Sequence, residues 1–415
     1  MPGLSTDFAW LLASRVGVMA TGLVTGGIIN RALGPAGRGV LAEMQTWVGL
    51  FVVVFGLSLD SAFYHFANRE RFGDDDRRRF VTAAALILAT ALCGAVALVV
   101  FIRVAPETVS ADASRLVVPL GLLLVTTVSS SSLTVFFQSL GRVRFAALLG
   151  AAQAPPYLLL ILAAAGSGRL GLGVVVASLV ASQAVTVLGA ALAAAREGLW
   201  RGAFSGAMAR GMLGAGARLH AGTIATFCYM KVNQVLVYHW AGAAEAGLYA
   251  AALNLSFAFA FVPTALQQAL YPRVIHSQDD FAVTVSALRL CFWGWGAVSA
   301  LLALLAEPLL LVYAGGEFRS AAPLFRVLLL ASWLLSLSSL MAPYLVKAGV
   351  FWVMSASAVA MGAVSLLLNG LLVPAGGSFG AALATMLTCV GGLAVSLVVL
   401  ARLSNRNPLG FLRVR

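Results

Sequence analysis

Long apolar runs separated by short polar connections dominate the chain. They show neither the period-two alternation of half-buried strands nor the one-sided stripe of a helix lying on a soluble core. A helix needs about 20 apolar residues to cross a hydrocarbon layer of about 30 Å. By that measure the runs predict twelve crossings, the first six at Phe8–Asn30, Val40–Phe63, Phe80–Val104, Leu116–Leu140, Phe145–Ala165 and Leu172–Ala194. Six more are predicted at Leu219–His239, Gly247–Leu270, Ala287–Leu305, Ala322–Val346, Phe351–Val373 and Phe379–Ala401. Backbone groups in lipid must be satisfied within the chain, and without alternation a barrel is excluded. The fold class is therefore an all-α polytopic membrane protein, with two six-helix pseudo-symmetric bundles around a central cavity. Residues 1–195 form the N-terminal bundle, 196–218 a cytoplasmic linker along the membrane surface, and 219–415 the C-terminal bundle with a short basic tail.

Composition removes the soluble classes. Of 415 residues, 61% are apolar and 10% charged, against about 25% charged in an ordinary soluble domain. The net charge of +12 could suggest nucleic acid, but the basic residues sit between the apolar runs, where they set orientation and meet anionic headgroups. Arg69, Arg71, Arg77–Arg79, Arg142, Arg144, Arg196, Arg201, Arg210, Arg218, Arg273 and Lys347 share one side with the tail arginines 402, 406, 413 and 415. Only Arg31, Arg38, Arg103, Arg115, Arg169 and Arg319 fall on the other. Both termini are expected in the cytoplasm of a cell whose inner membrane carries the protein. The first run lacks a small-residue cleavage site and reads as a retained helix. Cys93, Cys228, Cys291 and Cys389 all lie in apolar runs without ligand spacing, and read as packing residues.

The chain also repeats. A shift of 208 residues lays Gly34-Pro35-Ala36-Gly37-Arg38-Gly39 on Gly242-Ala243-Ala244-Glu245-Ala246-Gly247, Gly141 on Gly349, and Asp60 on Gln268. Each half has an even number of crossings, so the halves insert in the same sense, as in transporters with parallel repeats.

No catalytic constellation accompanies this frame: there is no Walker motif and no His-Glu-x-x-His, and an enzyme is not expected. The informative residues are ionisable ones inside crossings, each costing about 2.5–3.5 kcal/mol to insert. Arg15 in the first helix and Lys231 in the seventh are the candidate cations for an anionic headgroup. Asp60 and Glu43 are candidate coupling sites for H+ or Na+, and otherwise counter-ions to a neighbouring arginine. Pro155, Pro156 and Pro263 are candidate hinges, because each removes a helix hydrogen bond. The hydroxyls Ser129–Ser132 are expected to bond to the preceding turn or to a neighbouring helix. No metal site or further cofactor is expected.

The segment Asn30-Arg31-Ala32-Leu33-Gly34-Pro35-Ala36-Gly37-Arg38-Gly39 resembles the loop after the first helix of polysaccharide and O-antigen exporters. These belong to the multidrug/oligosaccharidyl-lipid/polysaccharide exporter superfamily. Gly247-Leu248-Tyr249-Ala250-Ala251-Ala252 with Pro263 and Tyr271-Pro272-Arg273 is similar, as is Asn369-Gly370-Leu371-Leu372-Val373-Pro374 with Gly380–Thr385. The resemblance implies two bundles working by alternating access and flipping a polyprenyl-diphosphate-linked oligosaccharide between leaflets. Its implied partners are that substrate, membrane lipids and other polysaccharide assembly proteins, with no nucleic acid. Where family members often carry an Arg-x-Asp-like pair, this chain reads Lys231-Val232-Asn233, so the acid is missing. An ion-coupled multidrug antiporter of the same fold would favour acidic cavity residues. A lipid II flippase would be longer. A membrane-embedded glycosyltransferase or polymerase would carry a large catalytic loop, and none is evident.

Overall fold

The computed structural model describes residues 2–66 and 75–412, and every regular element among them is helical. Nine stretches of the described residues are long and apolar enough to cross a membrane. Two of these, Val16–Tyr64 and Trp352–Ser404, run for 49 and 53 residues. At 1.5 Å per residue each would extend well over 70 Å if straight, about twice what one crossing needs. Both are interrupted by a glycine with non-helical backbone, Gly34 and Gly377, so each is a pair of crossings. With the seventh helix, which is not among the nine, the crossings among the described residues number twelve.

The helices are α1 Pro2–Gly56, α2 Leu59–Phe66, α3 Asp76–Val104, α4 Ala111–Arg115, α5 Val117–Ser139, α6 Val143–Ala151, α7 Ala154–Gly166, α8 Leu172–Arg196 and α9 Gly206–Phe227. They continue as α10 Asn233–Ala241, α11 Ala243–Phe259, α12 Phe261–His276, α13 Asp280–Leu290, α14 Gly296–Leu304, α15 Ala306–Ala314, α16 Ala322–Leu340, α17 Ala342–Lys347 and α18 Phe351–Ser404. The chain divides into two compact units: Met1–Leu33 with Val40–Ile224, and Gly34–Gly39 with Ala225–Arg415. Large apolar side chains such as Val96, Leu188, Leu304 and Leu371 are more than half exposed. That surface is stable against acyl chains and not against water.

Helix α9 starts at Gly206, so the later part of the 196–218 segment is helical and runs into the seventh crossing. Ala209, Met212 and Gly216, spaced three and four apart, are buried in the first unit, while Arg210 and Arg218 are exposed. Low mean hydropathy hid a helix with one narrow buried face. Gly216 approaches the carbonyl of Leu57 so closely that a Cβ would sit 2.2 Å from its oxygen.

Within each unit the arginine-rich connections gather at one end. In the first unit Arg142 pairs with Glu197, and the Ser205 backbone N–H donates to Thr82 Oγ1 at 3.1 Å. In the second, Lys347 Nζ meets Asp280 at 3.0 Å and Arg406 meets Asp279 at 3.0 Å. The Ala282 backbone N–H and the Arg406 guanidinium hold the Asp279 carboxyl below the usual carboxylate range. The basic tail is folded back onto the second unit as far as it is described. Pro408 and Phe411 are buried, and Arg289 donates to the Gly410 carbonyl at 2.9 Å.

The 208-residue repeat is written in the backbone. Gly34 and Gly242 both carry positive φ, 64° and 92°, as do Gly141 and Gly349, 80° and 71°. The second pair closes its helices with the same two bonds: Arg142 N to Phe137 O and Gly141 N to Gln138 O, then Val350 N to Leu345 O and Gly349 N to Val346 O. This is the C-terminal glycine motif that satisfies the last carbonyls of a helix. Within the second unit the repeated segments also meet. A Cβ on Gly39 would lie 1.8 Å from the Ala243 carbonyl oxygen, and one on Gly247 would lie 1.8 Å from the Pro35 oxygen. Since Pro35 corresponds to Ala243 and Gly39 to Gly247, the contact is reciprocal, with the form of a two-fold crossing.

Candidate functional site

The seventh crossing changes pitch where its cation sits. Between α9 and α10, residues Cys228–Val232 form a π-helical turn, a feature that recurs at functional positions because it displaces side chains from the α register. Lys231 lies in that turn, about 15 Å from the Ala241 end of the crossing at 1.5 Å per residue. Its ammonium stands 5.8 Å from the centroid of the Phe257 ring on α11, within cation–π range. It has no carboxylate partner among the described residues. The guanidinium of Arg38, from the segment that belongs to the second unit, is near enough for its like charge to act on Lys231. The second unit therefore brings two like charges close together at this depth, and of the two it is Lys231 that lacks a carboxylate.

Two residues further on, a buried amide network ties the second unit together. Asn233 Nδ2 donates to Thr385 Oγ1 at 2.7 Å and to the Tyr249 hydroxyl at 3.2 Å. Asn369 Nδ2 donates to the Ser365 carbonyl at 2.7 Å and to Asn233 Oδ1 at 3.3 Å. Asn233, Tyr249 and Asn369 are at most 1% exposed, and Asn369 Oδ1 has no partner. Four crossings thus meet on one amide. An Asn233→Leu protein is expected to lose stability, at about 1–3 kcal/mol for each polar group left unpaired. Its thermal midpoint in detergent should fall well below that of an exposed control such as Ser320→Ala.

The sequence reading passed over this network although Tyr249, Asn369 and Thr385 lie in the segments it quoted. The available signal was an asparagine in mid-crossing, since uncharged amides in hydrocarbon also need partners.

The first unit holds the acidic candidates. The second crossing breaks at Leu57 and Ser58, both with φ 50°, and resumes as α2. Asp60 stands in the first turn of α2, where a carboxylate is favoured by the helix dipole. It accepts from Ser132 Oγ at 3.0 Å. Ser58 Oγ lies 3.0 Å from Thr223 Oγ1 and 3.4 Å from His220 Nδ1 on α9. Of the serine run, Ser130 and Ser131 bond back to Thr127, and Ser132 reaches across to Asp60. Glu43 is fully buried and accepts from Ser110 Oγ at 2.9 Å, while that same serine caps α4. Neither acid has an arginine counter-ion in the described ion pairs.

The three prolines stand just after interruptions within single crossings, Val143–Gly166 and Ala243–His276, where the backbone between the two helical pieces stays right-handed helical. Pro155 and Pro156 open α7 after a break at Ala152–Gln153, and Pro263 is in the first turn of α12 after a break at Ala260. Their missing N–H groups are ones that a first turn leaves unbonded anyway. The backbone at Arg15 lies in α1, and its side chain lies outside the described residues.

This frame is shared. An inward-facing multidrug resistance MATE family transporter of the MOP superfamily superimposes with TM-score 0.72 at 13% identity, covering 93% of this chain and 96% of the other. The lipid II flippase MurJ, in an inward closed conformation, matches with TM-score 0.71 at 12% identity, over 94% and 87%. A eukaryotic MATE transporter matches with TM-score 0.66 at 14% identity, over 97% and 95%. These likenesses establish the fold. No curated protein matches the sequence. The profile of the polysaccharide biosynthesis protein family matches residues 4–278, and the chain belongs to that family.

Proposed function

We propose that the protein flips a polyprenyl-diphosphate-linked oligosaccharide from the cytoplasmic to the outer leaflet of the inner membrane by alternating access, for assembly of a cell-surface polysaccharide. The observation that carries this reading is the Lys231 ammonium, at mid-depth in a π-helical turn, beside Arg38 and without a carboxylate. A diphosphate is a substrate group that answers an ammonium without a carboxylate in a low-dielectric site. Arg15 is the partner cation from the first unit in this proposal. Family membership supports the glycan. A multidrug antiporter would need an acid to hold an organic cation. In the second unit the position two residues after Lys231 is an asparagine whose amide is already spent on Tyr249 and Thr385.

Deleting the gene should accumulate the lipid-linked glycan on the cytoplasmic face, where membrane-impermeant probes added outside cannot reach it. Normal outward display in the deletion strain would refute the proposal. The coupling ion, H+ or Na+, is assigned in the same reading to Asp60, with Glu43 kept as the alternative. Replacing Asp60 with Asn should blunt the response of transport to an imposed pH or sodium gradient while leaving Ser132 a hydrogen-bond partner. An unchanged gradient response would leave Asp60 as the fastener of α2 alone.

A further inference from the structure

The arginine-rich end of the second unit carries an open cleft of about 830 Å3 between α12 and α13. Its walls are apolar, with Leu266 and Leu270 from one helix and Ala287 and Leu290 from the other. At its polar margin stand Arg273 and His276, both exposed, with the hydroxyl of Ser277 beside them. The nearby acids are committed elsewhere: Asp279 to Arg406 and Asp280 to Lys347. Lys347 also donates to the Val274 and Ser277 carbonyls, at 3.2 and 2.9 Å, which fixes the last turn of α12. Arg273 has no carboxylate partner among the described residues. The cleft therefore offers a free guanidinium at one end and hydrocarbon at the other.

An inorganic anion would neutralise the arginine and leave the apolar wall uncovered. A neutral lipid would cover the wall and leave the charge. We propose that the cleft between α12 and α13 binds an acidic phospholipid of the adjoining leaflet, its phosphate on Arg273 and His276 and an acyl chain along Leu266, Leu270 and Leu290. Basic pockets between crossing helices hold anionic headgroups by the same combination of forces. The site is built from the second unit alone and is separate from Lys231. Its bound lipid braces α12, the segment that follows the break at Ala260, against α13.

The test is native mass spectrometry of the full-length protein in detergent, titrated with phosphatidylglycerol and with phosphatidylcholine of identical chains. The wild type should retain phosphatidylglycerol about tenfold better, a difference worth about 1.4 kcal/mol. Arg273→Gln should bring the two lipids to parity, Arg273→Lys should keep most of the preference, and Leu270→Trp should weaken retention of both. Arg142→Gln, whose arginine is paired to Glu197 in the first unit, should change nothing. Equal retention by the wild type, or a preference that survives Arg273→Gln, overturns the proposal. So does displacement of phosphatidylglycerol by an equimolar polyprenyl phosphate, which would make the cleft a substrate site.

Discussion

A Gly247→Val protein is expected to be recovered as aggregate or degraded chain, with little monodisperse material on size-exclusion chromatography in detergent. A Cβ at that position would stand 1.8 Å from the Pro35 carbonyl oxygen and 3.0 Å from the Gly39 nitrogen. Ordinary overpacking costs about 1–3 kcal/mol because side chains rotate aside. Here the obstacle is backbone on both sides, so the crossing itself must open by more than an ångström, and the cost lies beyond that range. Gly39→Val should behave alike, since its Cβ would strike the Ala243 carbonyl at the same distance. Gly370→Val, at a glycine with open space about its Cβ position, is the control and should run as the wild type does. Monodisperse Gly247→Val protein would show that the two segments do not cross at contact distance.

Lys231→Ala should lower outward transport of lipid-linked glycan by about 10–100-fold with normal insertion and abundance. That range corresponds to losing one charge-assisted hydrogen bond, about 1.5–3 kcal/mol. Lys231→Arg should restore part of the activity, because the charge returns with different reach. A purely structural lysine would show the opposite pattern: reduced protein with transport per molecule unchanged. Full transport by Lys231→Ala would remove the residue from the headgroup path.

The crossings were legible because hydrocarbon imposes one rule on every stretch that enters it. Twenty apolar residues in a row leave the backbone few choices, and the order and number of helices followed. The start of the seventh crossing was not legible. Gly206–Arg218 is buried through Ala209, Met212 and Gly216, a face too narrow and too broken by arginines to raise the hydropathy of the segment. The repeat could be read from the glycines alone, since Gly34, Gly141, Gly242 and Gly349 each hold a backbone conformation that other residues adopt at a cost.

For the site, charge was the visible part. Lys231 stood out in sequence because a cation in an apolar run is costly, whereas its π-helical turn left no mark in residue type. Asn233 was read as a missing acid. In the structure its amide is a junction, donating to Tyr249 and Thr385 while its oxygen accepts from Asn369. Pairings between distant segments of this kind depend on which helix faces meet, and periodicity in a uniformly apolar run does not distinguish the faces. Asp60 and Glu43 are candidate coupling sites or arginine counter-ions in the sequence, and the structure shows a serine hydroxyl donating to each.

The reciprocal glycine contact bears on how such a chain could have arisen. Two separate six-helix chains joined through it would place each glycine against the backbone of its own copy, so any single substitution there would be felt twice. Joining the copies end to end frees paired positions to drift apart, and Pro35 against Ala243 and Arg38 against Ala246 have done so. Gly39 and Gly247 have not drifted: each occupies space that a carbonyl oxygen of the other segment leaves no room to share.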